Sequence, residues 1–136
     1  DDYISSKRYT PEQLIDNWWQ SYIRMKWNAG PHLFIFRDKI YVATPLTMRG
    51  THSPSFNKDH YGVELIGDYD KEILPDSIRD LAEHAISCLF SEIGSKATDK
   101  NFHYHGEDPR TSHKGCPGKN VGKKIDWINN INKRIK

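Results

Sequence analysis

The fold is set by residues 32–44, which run His32-Leu33-Phe34-Ile35-Phe36-Arg37-Asp38-Lys39-Ile40-Tyr41-Val42-Ala43-Thr44. Two short apolar runs, at 32–36 and 40–44, flank a polar triplet. Short runs rich in aromatic and β-branched residues are typical of strands, and a polar break of this length between them is typical of a turn. The stretch therefore predicts a β-hairpin.

Strands and helices alternate outward from this hairpin. Thr10-Pro11-Glu12-Gln13 is a capping box with proline in the first helical position, and it predicts a helix that runs to about Lys26. The apolar residues of this helix fall at helical spacing and are expected to face a sheet; they are Leu14, Trp18, Tyr22 and Met25. Residues 61–67 predict a third strand, with Glu64 inside an otherwise apolar run.

The second half of the chain predicts two more helices and a fourth strand. Pro75 and Asp76 begin a long helix that Gly94 ends. The apolar stripe of this helix is Ile78, Leu81, Ala85, Leu89 and Ile93. Residues 101–105 predict the fourth strand, and residues 126–135 predict a last amphipathic helix. This alternation favours an α/β fold in which helices flank a mixed central sheet.

The composition limits the number of domains and the classes of partner that we expect for this chain. The chain has 136 residues and a mass of 15.9 kDa, which fits a single domain over residues 1–136. Its formal net charge is +2, and no dense Lys/Arg stripe interleaves with aromatic residues, so nucleic acid is not an expected partner. No apolar run approaches the length of a membrane-spanning helix. We expect a globular monomer.

The two cysteines are expected to play unrelated parts, because two thiols do not make a disulfide framework. Cys88 falls among apolar residues of the second long helix and is predicted to be a buried free thiol. Cys116 lies in a polar loop beside His113 and Lys114, where a thiolate is electrostatically favoured.

Chemically active side chains are concentrated in residues 103–118. This segment holds three histidines, a thiol, two carboxylates and a lysine. Imidazole nitrogen and thiolate sulfur are ligands that zinc prefers, and the turns at 108–109 and 117–118 can bring His105 near Cys116. On the predicted strand, His103 and His105 leave the same face. The segment therefore predicts a metal or catalytic site.

Two further residues have both a structural and a functional interpretation. Glu64 is either half of an ordinary salt bridge or a general base with a raised pKa, held on a strand near a metal. Lys114 is either a solvated loop lysine or, beside a metal, a group that stabilises a developing oxyanion.

Five motifs also occur in a recognisable order; they span 30–35, 45–47, 50–57, 61–69 and 105–121. Together they resemble the zinc-dependent N-acetylmuramoyl-L-alanine amidases, whose superfamily includes phage lysozyme-type amidases and animal peptidoglycan recognition proteins. The likeness covers roughly residues 10–122. It implies hydrolysis of the amide between the lactyl group of muramic acid and the first L-alanine, with peptidoglycan or muropeptides as partner and Zn²⁺ as cofactor. It also implies a periplasmic, cell-wall-associated or secreted protein.

The resemblance assigns roles by position. It implies that His105 and Cys116 are the second and third zinc ligands. Lys114 matches a lysine that commonly sits two residues before the last ligand, and Glu64 matches the catalytic glutamate of part of the family. His52 matches a loop histidine near the cleft that contacts substrate.

Two other positions refine this assignment. Pro31 stands where some phage relatives carry a catalytic tyrosine, so the base role is expected to fall to Glu64. His32 resembles a strand histidine that is usually structural.

The sequence departs from the family at the first zinc ligand, which is normally a histidine on a strand before the first helix. No residue upstream of Thr10 is histidine. We expect the strand that bears this ligand to lie upstream of residue 1, so that residues 1–136 are an amidase domain lacking its first strand. A replacement ligand such as His52 and a degenerate site are the alternatives.

Three functions follow from these readings. The first is metal-assisted hydrolysis, in which Glu64 moves the water's proton to the leaving amine and Lys114 shares the oxyanion with the metal. The second is a non-catalytic muropeptide-binding module with an incomplete zinc site. The third, a hydrolase with Cys116 as nucleophile and His105 or His113 as base, is disfavoured because Cys-Pro-Gly is a turn rather than a helix start.

Overall fold

A computed structural model of the protein describes residues 9–135. Its regular elements are, in chain order, α1 Pro11–Arg24, β1 Leu33–Phe36, β2 Lys39–Val42, β3 Val63–Leu65, α2 Asp76–Glu92 and α3 Lys124–Arg134. Two short 3-10 turns lie between α2 and α3, at His105–Glu107 and Lys119–Val121. The α/β class predicted from the sequence is confirmed. None of the helices in residues 9–135 has the length and apolar character needed to cross a bilayer.

The sheet is mixed and has the strand order β2-β1-β3. β1 and β2 form the predicted antiparallel hairpin, with Leu33 opposite Val42 and Phe36 opposite Lys39. β3 runs parallel to β1 on its other side, with Phe34 opposite Glu64. Within the described chain, β3 is therefore one edge of the sheet.

β1 is buried on both faces and separates the core into two clusters. Leu33 and Ile35 belong to the cluster formed with α2 and α3, whereas Phe34 and Phe36 belong to the cluster beneath α1. Because side chains alternate along a strand, α1 covers one face of the sheet and α2 with α3 covers the other. Glu64, paired in register with Phe34, lies on the α1 face.

The first helix begins as its sequence predicts. The Thr10 hydroxyl accepts a hydrogen bond from the Gln13 amide at 3.2 Å, and the Gln13 side chain accepts one from the Thr10 amide at 2.9 Å. Leu14 is buried, and Trp18 and Tyr22 pack against the same cluster. The prediction for Met25 is wrong: its side chain is 50% exposed, because the helix ends at Arg24 and Met25 is the capping residue.

The second helix has the predicted ends but a different buried face. Gly94, at φ +68°, follows the last turn as expected of a C-terminal glycine. Ile93 was expected in the apolar stripe, yet it is 57% exposed because it lies just past the helix end. Cys88 was expected to be buried and is instead exposed, with its Sγ 3.8 Å from Nε2 of His84. It lies on the outer face of the helix, whereas its neighbours Ser87 and Phe90 face inward.

The fourth strand predicted at residues 101–105 does not form. The Phe102 amide donates to the Thr98 carbonyl at 3.0 Å, and the Tyr104 amide donates to the Glu107 carboxylate at 2.6 Å. These amides are satisfied locally, and no neighbouring strand in residues 9–135 pairs with the segment. A 3-10 turn then begins at His105.

We predict that Thr10→Ala lowers the free energy of unfolding by about 1 kcal/mol, because the Gln13 amide loses its acceptor at the helix N-terminus. Urea unfolding followed by circular dichroism measures the change. Thr10→Ser keeps the hydroxyl and should retain most of the stability. Equal losses in the two variants would show that the cap contributes nothing.

Candidate functional site

A cavity of about 820 Å³ opens beside β3, which is an edge strand among the described residues. Glu64, His105, Cys116 and His52 are among the residues that line it. Apolar side chains of α2, of its capping residue and of α3 also line it; they are Ile86, Leu89, Phe90, Ile93 and Trp127. The cavity therefore brings the residues singled out by the sequence together with apolar side chains of the two helices.

Glu64 reaches this cavity because it alternates with its neighbours on the strand. Val63 and Leu65 pack against the cluster under α2 and α3, which leaves the Glu64 carboxylate on the α1 face. Burial raises the pKa of Glu64 to about 7. In the described part of the chain no ion pair joins it to a basic residue, so an ordinary salt bridge is not supported. A carboxylate titrating near neutral pH suits a general base.

His105 begins the 3-10 turn that replaces the predicted strand end. Its Nε2 lies 3.2 Å from the Thr111 hydroxyl, and its ring centroid is 5.8 Å from that of His113. Burial and then the nearby His113 lower the pKa of His105. The lowered pKa favours the neutral ring, the form in which imidazole binds metals.

His103 does not share a strand face with His105, because the strand is absent. Its ring stacks on Phe56 with centroids 4.5 Å apart and planes 4° from parallel. Its Nε2 donates to the Lys100 carbonyl at 3.0 Å. His103 thus forms part of an aromatic wall of the cavity.

Cys116 reaches the same cavity through a backbone contact with the residue after His105. The Gly106 amide donates to the Cys116 carbonyl at 3.0 Å, and a Cβ atom at position 106 would collide with the carbonyl oxygens of Lys114 and Cys116. We call residues 105–116 the ligand loop. Its two ends lie against each other, as the turn residues predicted, only because position 106 lacks a side chain.

The Cys116 thiol is not activated as a nucleophile. Burial raises its pKa to about 11, and the negative charges of Glu64 and Asp70 act in the same direction. Thiolate, not thiol, attacks carbonyl carbon. The prediction that loop charges favour a thiolate is therefore wrong for the protein alone, and the cysteine-hydrolase reading loses support.

Lys114 lies outside the wall of the cavity. Its ammonium donates to the backbone carbonyl of Asp108 at 2.8 Å, within the ligand loop. The residues that line the cavity do not include it.

Two histidines earlier in the chain, His32 and His52, differ in their burial and in their hydrogen bonds. His32 is buried, its Nε2 donates to the Met48 carbonyl at 2.8 Å and its Nδ1 accepts from the Gly62 amide at 3.1 Å, so it is structural. His52 lines the cavity, and its Nε2 donates to the His60 carbonyl at 3.1 Å. Burial lowers the pKa of His52 to about 4, so its ring is neutral at physiological pH.

The donor set fits part of a zinc site. His105 and Cys116 supply one imidazole and one thiol, the donor types zinc prefers. In residues 9–135, no group of three or more His, Cys, Asp or Glu side chains is placed to hold a metal. The pair would need at least one further donor.

Sequence reasoning missed Asp108, which is fully buried. Its carboxylate accepts hydrogen bonds from the side chains of Ser53 and Ser55 and from the Arg110 amide. The Asp-Pro turn accounts for the local bond to Arg110. No pattern along the chain links Asp108 to Ser55 and Ser53, which precede it by 53 and 55 positions, respectively.

We predict that Gly106→Ala lowers the free energy of unfolding by about 1–3 kcal/mol, because its Cβ forces apart the backbone contact between the ends of the ligand loop. Gly115→Ala is the matched control, since its Cβ would meet only Asp70 Oδ2 at 3.9 Å. Urea unfolding measures stability, and amide exchange at residue 106 measures the contact. Equal stability of the two variants would contradict the tight contact.

Comparisons with known proteins found one matching family and solved structures with a similar fold. A model of the family described as N-acetylmuramoyl-L-alanine amidase matches residues 5–119. Two solved structures share the fold, each with a TM-score of 0.68 and 22% identity over 95% of this chain: "Endolysine N-acetylmuramoyl-L-alanine amidase LysCS" and "N-acetylmuramoyl-L-alanine amidase LysC", both from Clostridium intestinale URNW. The matches cover 77% and 78% of those chains, respectively.

A comparison with curated proteins found no match. The family match spans most of the sequence, including Glu64, His105 and Cys116, and it confirms the resemblance drawn from the five motifs. The chain belongs to the N-acetylmuramoyl-L-alanine amidase family, a family of peptidoglycan amidases.

Proposed function

We propose that this protein is a zinc-dependent hydrolase, acting as a monomer on the amide between N-acetylmuramic acid and L-alanine of peptidoglycan. One observation carries the proposal: a single cavity gathers a carboxyl group with a pKa of about 7, a neutral imidazole and a thiol, on Glu64, His105 and Cys116. Membership of the amidase family supports the same substrate.

His105 and Cys116 would hold the metal. When bound, zinc supplies Lewis acidity toward water and the scissile carbonyl. The thiol must lose its proton to become a ligand, so we expect metal uptake to release protons and to strengthen as the pH rises.

Glu64 would move the proton. Its carboxylate accepts a proton from the attacking water as the oxygen bonds to the carbonyl carbon. The resulting carboxylic acid then donates that proton to the amine of L-alanine as the C–N bond breaks. A pKa of about 7 lets one group perform both steps near neutral pH.

Lys114 and His52 would also act on the substrate. We propose that the Lys114 ammonium stabilises the oxyanion, which requires it to leave the Asp108 carbonyl that it now contacts. His52, neutral and on the cavity wall, would contact the muropeptide.

A third zinc donor is proposed to come from an additional strand that carries a histidine. The support is the lining of the cavity, which includes β3, an edge strand among the described residues, and apolar residues of α2. Unpaired backbone groups beside an apolar floor are what an added strand requires. His52 is the alternative donor, although its Nε2 is already engaged by the His60 carbonyl.

A second candidate function is muropeptide binding without hydrolysis. It is favoured by the two-donor site, since zinc sites in proteins normally use three or four protein ligands. Elemental analysis for zinc, combined with activity before and after a chelator, distinguishes the two functions. An amidase retains zinc and loses activity on chelation, whereas a binding module retains muropeptide affinity without either property.

We predict that Glu64→Gln reduces muropeptide hydrolysis by about 10²-fold or more, because the amide cannot accept the water's proton. Zinc content should change little, since Glu64 is not a proposed ligand. The assay is release of L-alanine peptides at pH 7.5 with zinc present. Glu92→Gln, at an exposed position outside the cavity, is the control and should keep full activity. Unchanged turnover in Glu64→Gln would move the base role elsewhere.

We also predict that residues 1–136 alone bind zinc weakly and hydrolyse muropeptides slowly, because two ligands hold the ion poorly. A variant extended by a strand that bears a histidine should gain both zinc affinity and turnover. The same extension with alanine in place of that histidine is the control and should gain neither. Tight zinc retention and full cleavage by residues 1–136 would show that a third donor within the chain had been misassigned.

A further inference from the structure

Two loops meet at one wall of the cavity. Residues 50–61, which we call the His52 loop, lie within the connection between the hairpin and β3 and carry His52. The ligand loop carries His105, Lys114 and Cys116. The two loops come from distant parts of the sequence, so their relative position must be fixed by contacts between them.

A single buried carboxylate makes the polar contacts between these loops. Asp108 Oδ2 accepts from the Ser53 hydroxyl at 2.5 Å and from the Ser55 amide at 2.9 Å. Asp108 Oδ1 accepts from the Ser55 hydroxyl at 2.5 Å and from the Arg110 amide at 2.8 Å. Three of these four bonds cross from the His52 loop to the ligand loop.

The backbone of the same residue contacts two members of the proposed site. The Asp108 amide donates to the His105 carbonyl at 3.0 Å, and the Asp108 carbonyl accepts from the Lys114 ammonium at 2.8 Å. One residue thus links His105, Lys114 and the loop that carries His52.

The linkage is strong because the carboxylate is ionised and enclosed. Burial acts to raise the pKa of Asp108, but the hydrogen bonds from Ser53, Ser55 and Arg110 outweigh it and hold the pKa well below its ordinary value. Hydrogen bonds to a charged acceptor are stronger than those between neutral groups. Losing one would also leave a buried group unsatisfied.

We propose that Asp108 is a positioning residue, whose buried carboxylate fastens the His52 loop to the ligand loop and so fixes the substrate-binding wall of the cavity relative to His105. The inference rests on the proposed function for its catalytic consequence, but the fastening itself does not. Asp108 does not line the cavity and is not expected to touch substrate.

The test uses the full chain, with substitutions at an exposed hydrogen-bond donor, Ser55, and at the acceptor, Asp108. Ser55→Ala removes one hydroxyl donor, and Ser55→Thr keeps it. Asp108→Asn removes the charge and replaces an acceptor with a donor. Glu83→Gln is the matched control, because Glu83 is a buried carboxylate at the α2–α3 contact, bonded to Arg79 and Asn130 and away from the cavity.

Two measurements separate positioning from stability. Hydrogen exchange of amides 51–60 reports the fastening, and the dissociation constant of a muropeptide reports the cavity wall. We expect Ser55→Ala and Asp108→Asn to speed exchange in the His52 loop about tenfold or more and to weaken muropeptide binding about fivefold or more. Ser55→Thr should keep the exchange rate and the muropeptide affinity of the wild type. Glu83→Gln should lower stability without changing the exchange of the His52 loop or the affinity.

The outcomes are distinguishable. If exchange in the His52 loop is unchanged in Asp108→Asn, or rises equally in Glu83→Gln, the fastening is wrong. If exchange rises but muropeptide affinity is that of the wild type, Asp108 has no positioning role. A wild-type protein that binds no muropeptide contradicts the proposed function, and the exchange measurement then decides the fastening by itself.

Discussion

The structure depends on the complete burial of β1. Its four residues alternate between two apolar clusters, so a helix must cover each face of the sheet. The parallel pairing with β3 then fixes which residue of that strand faces which side. Because Phe34 pairs with Glu64, the carboxylate lies on the α1 face, next to a cavity rather than in the core between β1 and α2. The position of the proposed base is thus a consequence of sheet register.

The remaining site residues are held by loops, and the loops are held by short-range polar contacts. Gly106 and Cys116 join the ends of the ligand loop, while Asp108 joins that loop to the His52 loop. The sheet strand β3 thus carries the proposed proton-transfer group, whereas the two loops carry the proposed metal donors and the proposed substrate wall. Loops on a rigid scaffold are where binding residues commonly lie.

Sequence patterns correctly predicted those elements of the fold that depend on contacts between residues close together in the chain. The cap at Thr10, the hairpin at 32–44 and the helix end at Gly94 follow from neighbours along the chain. The predictions for Met25 and Ile93 failed for a local reason, since both lie just past a helix end, whereas other failures have causes that are not visible along the chain. The segment 101–105 has strand-like residues but no partner strand in the described chain, and Cys88 lies on the outer face of a helix whose register apolar spacing left ambiguous. Asp108 was missed because its serine partners are more than fifty positions away.

Among the described residues β3 is an edge strand, and an edge strand left without a partner affects how a protein behaves in concentrated solution. Exposed strand edges can pair with other chains and seed aggregates, and proteins commonly limit this with short edges and inward-pointing charges. β3 is only three residues long and has Glu64 at its centre. Above about pH 7 that carboxylate is ionised, and a second copy pairing there would bring two like charges together in a poorly hydrated cleft. Glu64 therefore lies where its charge would disfavour the pairing of two copies along this strand.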